Sequence, residues 1–188
     1  KEDADSLISI KGSLINDKLK FDTISIEEKN NKILFKNLFL DKDYKIISID
    51  NFDLNYVNSK NIQTKLNLKR NKSNYIIQGK AFDASKIINS IMDNDEKNSS
   101  IFKNLDTKIN IKISKTHIDE TNFINDLSGT INFKNNQINN LDLKSTFSND
   151  KKINLSIETN NKKEKITKLF TDFPKPLIKR YDFIKGFE

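Results

Sequence analysis

Catalysis and metal binding need ionisable side chains held close together, and this sequence offers few places to look for them. The first is Asp93-Asn94-Asp95-Glu96, which begins with the D-x-D spacing of a calcium loop. Lys97 then occupies the next ligand position, the turn glycine is missing and no distal glutamate follows. A cage of oxygens cannot close on that pattern, so the stretch reads as a helix end and a polar loop. The second is His117, the single histidine, beside Thr116 and near Asp119. One imidazole cannot assemble a histidine-based metal site. The third is the set Asp41, Asp43, Asp50 and Asp53, whose positions suit turns and a solvent face better than a carboxylate pair. Cysteine is absent, which removes thiolate chemistry and disulfides. No glycine-rich phosphate loop and no nucleophile elbow occur. No catalytic residue, metal or cofactor is expected, and the chain reads as non-enzymatic.

Charge and composition narrow the partners. The formal net charge is +7 over 188 residues, which invites a nucleic-acid reading. Only Arg70 and Arg180 among 33 basic residues are arginine, and arginine is the usual bidentate reader of bases and phosphates. The lysines run along polar faces and turns, interleaved with Asp and Glu, as on a solvated face. No nucleic-acid partner is therefore expected. No apolar run approaches the roughly 20 residues that cross a bilayer as a helix. The chain starts at Lys1 without a signal-like segment and stops at "FIKGFE". It reads as a piece of a longer protein, with any anchor outside it.

The elements available are mostly strands. Apolar residues alternate with polar ones in 6–15, 19–27, 44–57, 61–70, 73–82 and 105–118, the period of a half-buried sheet. Segment 31–40 is more continuously apolar, and its flanking turns favour strand. Gly12 is placed for a bulge or a close backbone approach. In "DLSGTINFKNNQINNLDLKSTFSNDKKINLSIET" (126–159), Ile131 and Phe133, Leu141 and Leu143, and Ile153, Leu155 and Ile157 each occupy one face. Between 82 and 95 the period changes. Ile87, Ile88, Ile91 and Met92 form the stripe of an amphipathic helix, Asp83 is placed as its N-cap, and Phe82 with Ile87 would form a hydrophobic staple. Near the C-terminus a strand through about Phe170 precedes a short helix begun by Pro174, with Leu177, Ile178 and Tyr181 toward the sheet. The expected fold is mainly β: an antiparallel, curled or groove-forming meander of about eleven strands with two short helices. Residues 1–82 form an N-terminal meander; 83–188 form a helix, a second meander and a terminal helix, continuous with the first sheet. The same alternation also permits a closed β-sandwich.

One ordering is more specific than alternation. Phe82-Asp83-Ala84 opens into a helix, a polar loop and antiparallel strands; "LSGTINFKNNQINNLDLKS" then leads to "KITKLFTDFPKPLIKRYDFIKGFE". This resembles the AsmA-like proteins, particularly the C-terminal region of the large YhdP-type members. There a Gly-x-hydrophobic-x-hydrophobic meander precedes a short helix and a terminal Ile-x-Gly turn, here Ile184-Lys185-Gly186. Phe187 stands where many members have a second glycine. The likeness covers 75–188 in order of elements and 1–74 only in style.

The resemblance implies a periplasmic protein of a Gram-negative envelope, tied to the inner membrane by an anchor outside this segment. It implies a curled sheet whose apolar groove carries phospholipid acyl chains between inner and outer membranes, with a partner at the outer membrane. The groove residues would be Ile109, Ile111, Ile113, Ile131, Phe133, Leu141, Leu143, Ile153, Leu155 and Ile157. Ile87, Ile91 and Met92 would cover one end of it from the helix. Strands can exchange faces at a bulge, which would move some of these into a closed core. The competing expectation is a structural or assembly module of the envelope that holds partners by strand addition at its sheet edges.

Overall fold

A computed structural model describes residues 6–85, 102–160, 162 and 164–177. The alternating segments are eleven strands: β1 (Ser6–Ile15), β2 (Lys18–Glu28), β3 (Asn31–Leu40), β4 (Ile46–Val57), β5 (Gln63–Asn71), β6 (Asn74–Asp83), β7 (Thr107–His117), β8 (Phe123–Lys134), β9 (Gln137–Phe147), β10 (Lys152–Thr159) and β11 (Lys165–Thr171). They make one sheet in chain order, with β1 and β11 as its two edges. The sheet is not closed into a barrel. Outside the strands, helical residues are few among those described: Ser85, and 175–177 just after Pro174. Asp83 does accept from the Ser85 amide at 3.0 Å, the contact expected of an N-cap. The stripe Ile87, Ile88, Ile91 and Met92 lies outside the described residues, as do Ile178 and Tyr181.

One pairing departs from the antiparallel expectation. β6 and β7 run parallel, with Tyr75 opposite Ile109 and Asp83 opposite His117. A hairpin can join only antiparallel neighbours. Here the chain leaves β6 at one rim of the sheet and enters β7 from the other, so the intervening segment is a crossover. The remaining neighbours are antiparallel and mostly joined by short turns. Asn16-Asp17 and Asn135-Asn136 have both central residues at positive φ, the conformation whose twist matches a two-residue hairpin. Asparagine and aspartate enter that region at least cost after glycine, so a chain with four glycines still turns tightly.

Strict alternation fails at particular points, and the failures preserve one apolar face. Phe21 and Ile24, Phe35 and Leu38, and Ile49 and Phe52 are each three residues apart, yet all six pack in one cluster. Asn37, between Phe35 and Leu38, has φ 48° and takes up the extra position. The register of β1 on β2 shifts at Lys11/Gly12, where a Cβ on Gly12 would come within 2.6 Å of the Lys20 carbonyl oxygen. The same device recurs in β8. Asp126 has φ 52°, the pairing with β9 slips between Asn125 and Ser128, and Ile124 and Leu127 pack together. Such bulges add local twist and bend a strand, which suits a curled sheet. Two cores result: Leu38, Ile49 and Tyr75 in the first half, and Ile118, Ile124, Phe147 and Leu177 in the second.

Candidate functional site: one apolar face across eleven strands

The residues with chemical potential are used structurally. Asp41, 3 % exposed, accepts from the Asp43 and Lys45 amides at 3.0 and 2.9 Å and pairs with Lys103 at 3.2 Å. The Lys45 amide, more than the Lys103 cation, holds its carboxyl below the ordinary range. Asp50 accepts from Asn37 at 3.0 Å, and Asp53 accepts from Asn67 at 2.6 Å. Asp119 is buried and accepts from Thr121 and Asn122. Burial alone would raise its pKa; the Asn122 side chain and the Asn122 and Thr121 amides outweigh that and bring it to about 2. His117 has its pKa lowered, first by burial and then by Lys115, against the pull of Asp83 and Asp119. Its ring lies 5.9 Å from that of Phe123, tilted by 49°. No group of His, Asp or Glu among the described residues could hold a metal ion.

The larger feature follows from register, because partners on neighbouring strands share a face. Starting at the β1 edge, Ile10 faces Ile24, then Phe35, Phe52 and Leu68 in turn. The row continues through Ile77, Ile111, Gly129, Leu143 and Leu155 to Leu169 at the β11 edge. It crosses all eleven strands, and Gly129 is the single position without an apolar side chain. Ten strand spacings make it about 48 Å long. The adjacent row on the opposite face runs Ser9, Ser25, Leu34, Asp53, Asn67, Gln78, Lys112, Ser128, Lys144, Asn154 and Phe170. Nine of those eleven are hydrogen-bonding or charged residues. One residue of displacement along each strand separates a hydrophobic surface from a hydrophilic one.

The ten residues expected to share a face do so. Ile109, Ile131, Leu141 and Ile157 are in register, as are Ile111, Leu143 and Leu155 in the long row. Ile113 stands beside Leu127, Phe133 beside Thr107 and Ile153 beside Ser145. Most are half-buried, while Ile113 and Leu141 are buried. The expectation stopped short at the first half, where Phe35, Phe52, Leu54, Leu66, Leu68 and Ile77 extend the same face. The alternation in 44–57 and 61–70 was the available signal. Gly129 keeps the rows close: a Cβ there would lie 1.9 Å from the Asp142 carbonyl oxygen, and its φ is 146°.

Cover over this face is partial. Near the β8–β9 rim the C-terminal segment folds back. The Asp172 amide donates to the Lys152 carbonyl at 3.0 Å, Phe173 meets Phe147 edge-on at 5.6 Å, and Leu177 is buried against Ile118 and Ile124. At the opposite rim the chain entering β7 runs as a strap. Lys103 donates its amide to Ile46 at 3.0 Å, and Asn136 exchanges bonds with Leu105, its side chain accepting at 2.6 Å. Between the rims, no second sheet lies over the rows among the described residues. At the β1 edge Ile8 and Ile10 are 61 % exposed. The site is an apolar surface, closed over at one corner and bare at one edge. Comparison of the chain with protein-family models, with curated proteins and with solved structures finds no match.

Proposed function

We propose that this chain is a segment of an AsmA-like protein of the Gram-negative periplasm, anchored to the inner membrane, whose apolar sheet face carries phospholipid acyl chains. The observation that supports this most is the unbroken register row from Ile10 to Leu169. A folded domain buries such a face under another layer; here the described cover is the C-terminal segment at one rim and the strap at the other, with no second sheet between them among the described residues. Acyl chains can take the place of that second layer. Each methylene kept from water contributes about 0.8 kcal/mol, and a chain passing from a bilayer onto the row exchanges one apolar surroundings for another. Retention is strong against water and weak against lipid, which is what a conduit needs. The row is apolar along its length except at Gly129, with no polar residue to trap a sliding chain.

Native mass spectrometry of the purified chain, with lipid extraction from the same sample, tests the reading. Bound phospholipid that is lost in Ile111→Asp and in Phe133→Asp, with the far-ultraviolet circular dichroism of a β protein retained, is the expected result. A lipid-free, folded monomer that also fails to take lipid from vesicles overturns it. The edge-pairing reading draws on a separate observation, the exposure of Leu7, Ile8, Ile10 and Leu14 on β1. Under that reading, substitutions in β1 abolish partner capture while Ile111→Asp does not.

A further inference from the structure

The lysines are not evenly balanced over the polar face. Strands β5, β6 and β7 with the turn between the first two (63–83 and 107–117) hold eight basic residues and one carboxylate, Asp83. That excess of seven equals the net charge of the whole chain. Of 33 basic and 26 acidic residues overall, the 25 and 25 left elsewhere cancel. Arg70 is paired with Asp50 and Lys115 lies over the Phe123 ring. Lys65, Lys69, Lys72, Lys80, Lys108 and Lys112 remain, all exposed and with no carboxylate partner among the described residues. Elsewhere on the sheet Lys20, Lys32, Lys144 and Lys168 pair with Asp22, Glu27, Asp142 and Glu158, and the lysines without an ion pair there are matched in number by carboxylates.

We propose that the polar face of β5–β7 is a docking surface for an acidic, extended polypeptide segment. Lys65 and Lys69, and likewise Lys108 and Lys112, are four residues apart on a strand, about 13 Å, and β5 lies about 10 Å from β7. Carboxylates four residues apart on an extended peptide repeat at the same interval. Lys65, Lys80 and Lys112, with Asn67, Gln78 and Ser114, surround a shallow depression of about 520 Å³. Their amides and hydroxyl can bond a peptide backbone. Asp53 also borders the depression, its carboxylate taken up by Asn51 and Asn67.

Other polyanions fit less well. A bilayer would draw the opposite face, where the apolar row lies. Nucleic acid is usually held with arginine forks and stacked rings. Arg70 is already paired, and Tyr75 belongs to the apolar cluster on the other side. A folded protein interface wants a cluster of apolar or aromatic anchors at its centre, and this patch offers only the half-buried Ile76 between Lys69 and Asn110. Charge without such a cluster gives fast, salt-sensitive association.

Fluorescence anisotropy with a labelled peptide of alternating Glu and Ser, at low and at high ionic strength, tests the proposal. Binding at low salt should fall by more than about tenfold in the variant Lys65→Gln/Lys69→Gln/Lys108→Gln/Lys112→Gln, at two- to fivefold per lysine. It should survive in Lys20→Gln/Lys60→Gln/Lys144→Gln/Lys168→Gln, which removes the same charge from lysines paired with Asp22, Glu120, Asp142 and Glu158, away from the depression. Circular dichroism confirms that both variants fold. Equal loss in both variants, no peptide binding at low salt, or tighter binding of a single-stranded oligonucleotide or of phosphatidylglycerol vesicles through these four lysines would each overturn it.

Discussion

The two ends of the apolar face are built from the same alternating chemistry and meet opposite fates. At the β8–β9 corner, Ile124 and Phe147 lie beneath Phe173 and Leu177, and Phe147 keeps 4 % of its exposure. On β1, Ile8, Ile10 and Leu14 keep 61 % or more. Alternation directs a side chain to one face of a sheet, but it does not supply anything to lie over that face. At the covered corner the cover comes from residues that are not strand at all: a turn anchored by Asp119 and a C-terminal segment containing Pro174 and Pro176. Burial here is decided by where the chain returns.

Four substitutions or conditions would break or sharpen that contrast. Phe147→Ala removes a ring from the covered corner and should cost about 3–4 kcal/mol in urea-induced unfolding. A loss below about 1 kcal/mol would mean that the corner is as open as β1. Gly129→Ala should cost about 2–3 kcal/mol, because an added methyl meets the Asp142 carbonyl in a backbone conformation unsuited to side chains. Unchanged stability there would show that the β8–β9 pairing can spread.

Acid unfolding probes the turn beneath the covered corner. The folded pKa of Asp119 is about 2 against an ordinary 3.8, so its contribution is whole above about pH 4 and disappears as pH falls toward 2. That amounts to about 2 kcal/mol. Asp119→Asn should therefore flatten the stability curve across that window, and an unchanged slope would assign acid sensitivity elsewhere. Smallest is Ile10→Ala, expected below about 1 kcal/mol for an exposed edge position. A loss as large as that of Phe147→Ala, growing with protein concentration, would show β1 covered by another molecule in solution.

Much of this fold was legible before any coordinates. The bounds 6–15 and 31–40 coincide with β1 and β3, and Gly12 sits at a register shift as its position suggested. Leu177 packs on the sheet. The sequence did not reveal the face exchanges. In 31–40 the run Ile33-Leu34-Phe35 and Leu38-Phe39-Leu40 looks continuous, since an αL asparagine at 37 interrupts alternation without changing composition. Nor did it reveal that β6 and β7 run parallel, because direction depends on which rim the crossover reaches.

The sequence by itself determined the strands and the amphipathic character of each, since period-two alternation with asparagine turns leaves few other conformations. Only the tertiary structure decided which residues stand side by side. Register aligns Ile10 with Leu169 through nine intermediates scattered over 160 positions of chain. The parallel crossover brings Lys65 and Lys69 beside Lys108 and Lys112 across a connection that carries Asp93, Asp95 and Glu96. Along the chain that connection, in which Lys86, Lys97 and Lys103 nearly balance the carboxylates, holds the two basic stretches apart. In the sheet, strand pairing ignores the connection and sets like charges together, because backbone hydrogen bonding and apolar burial on the other face fix the register whatever the outward side chains carry.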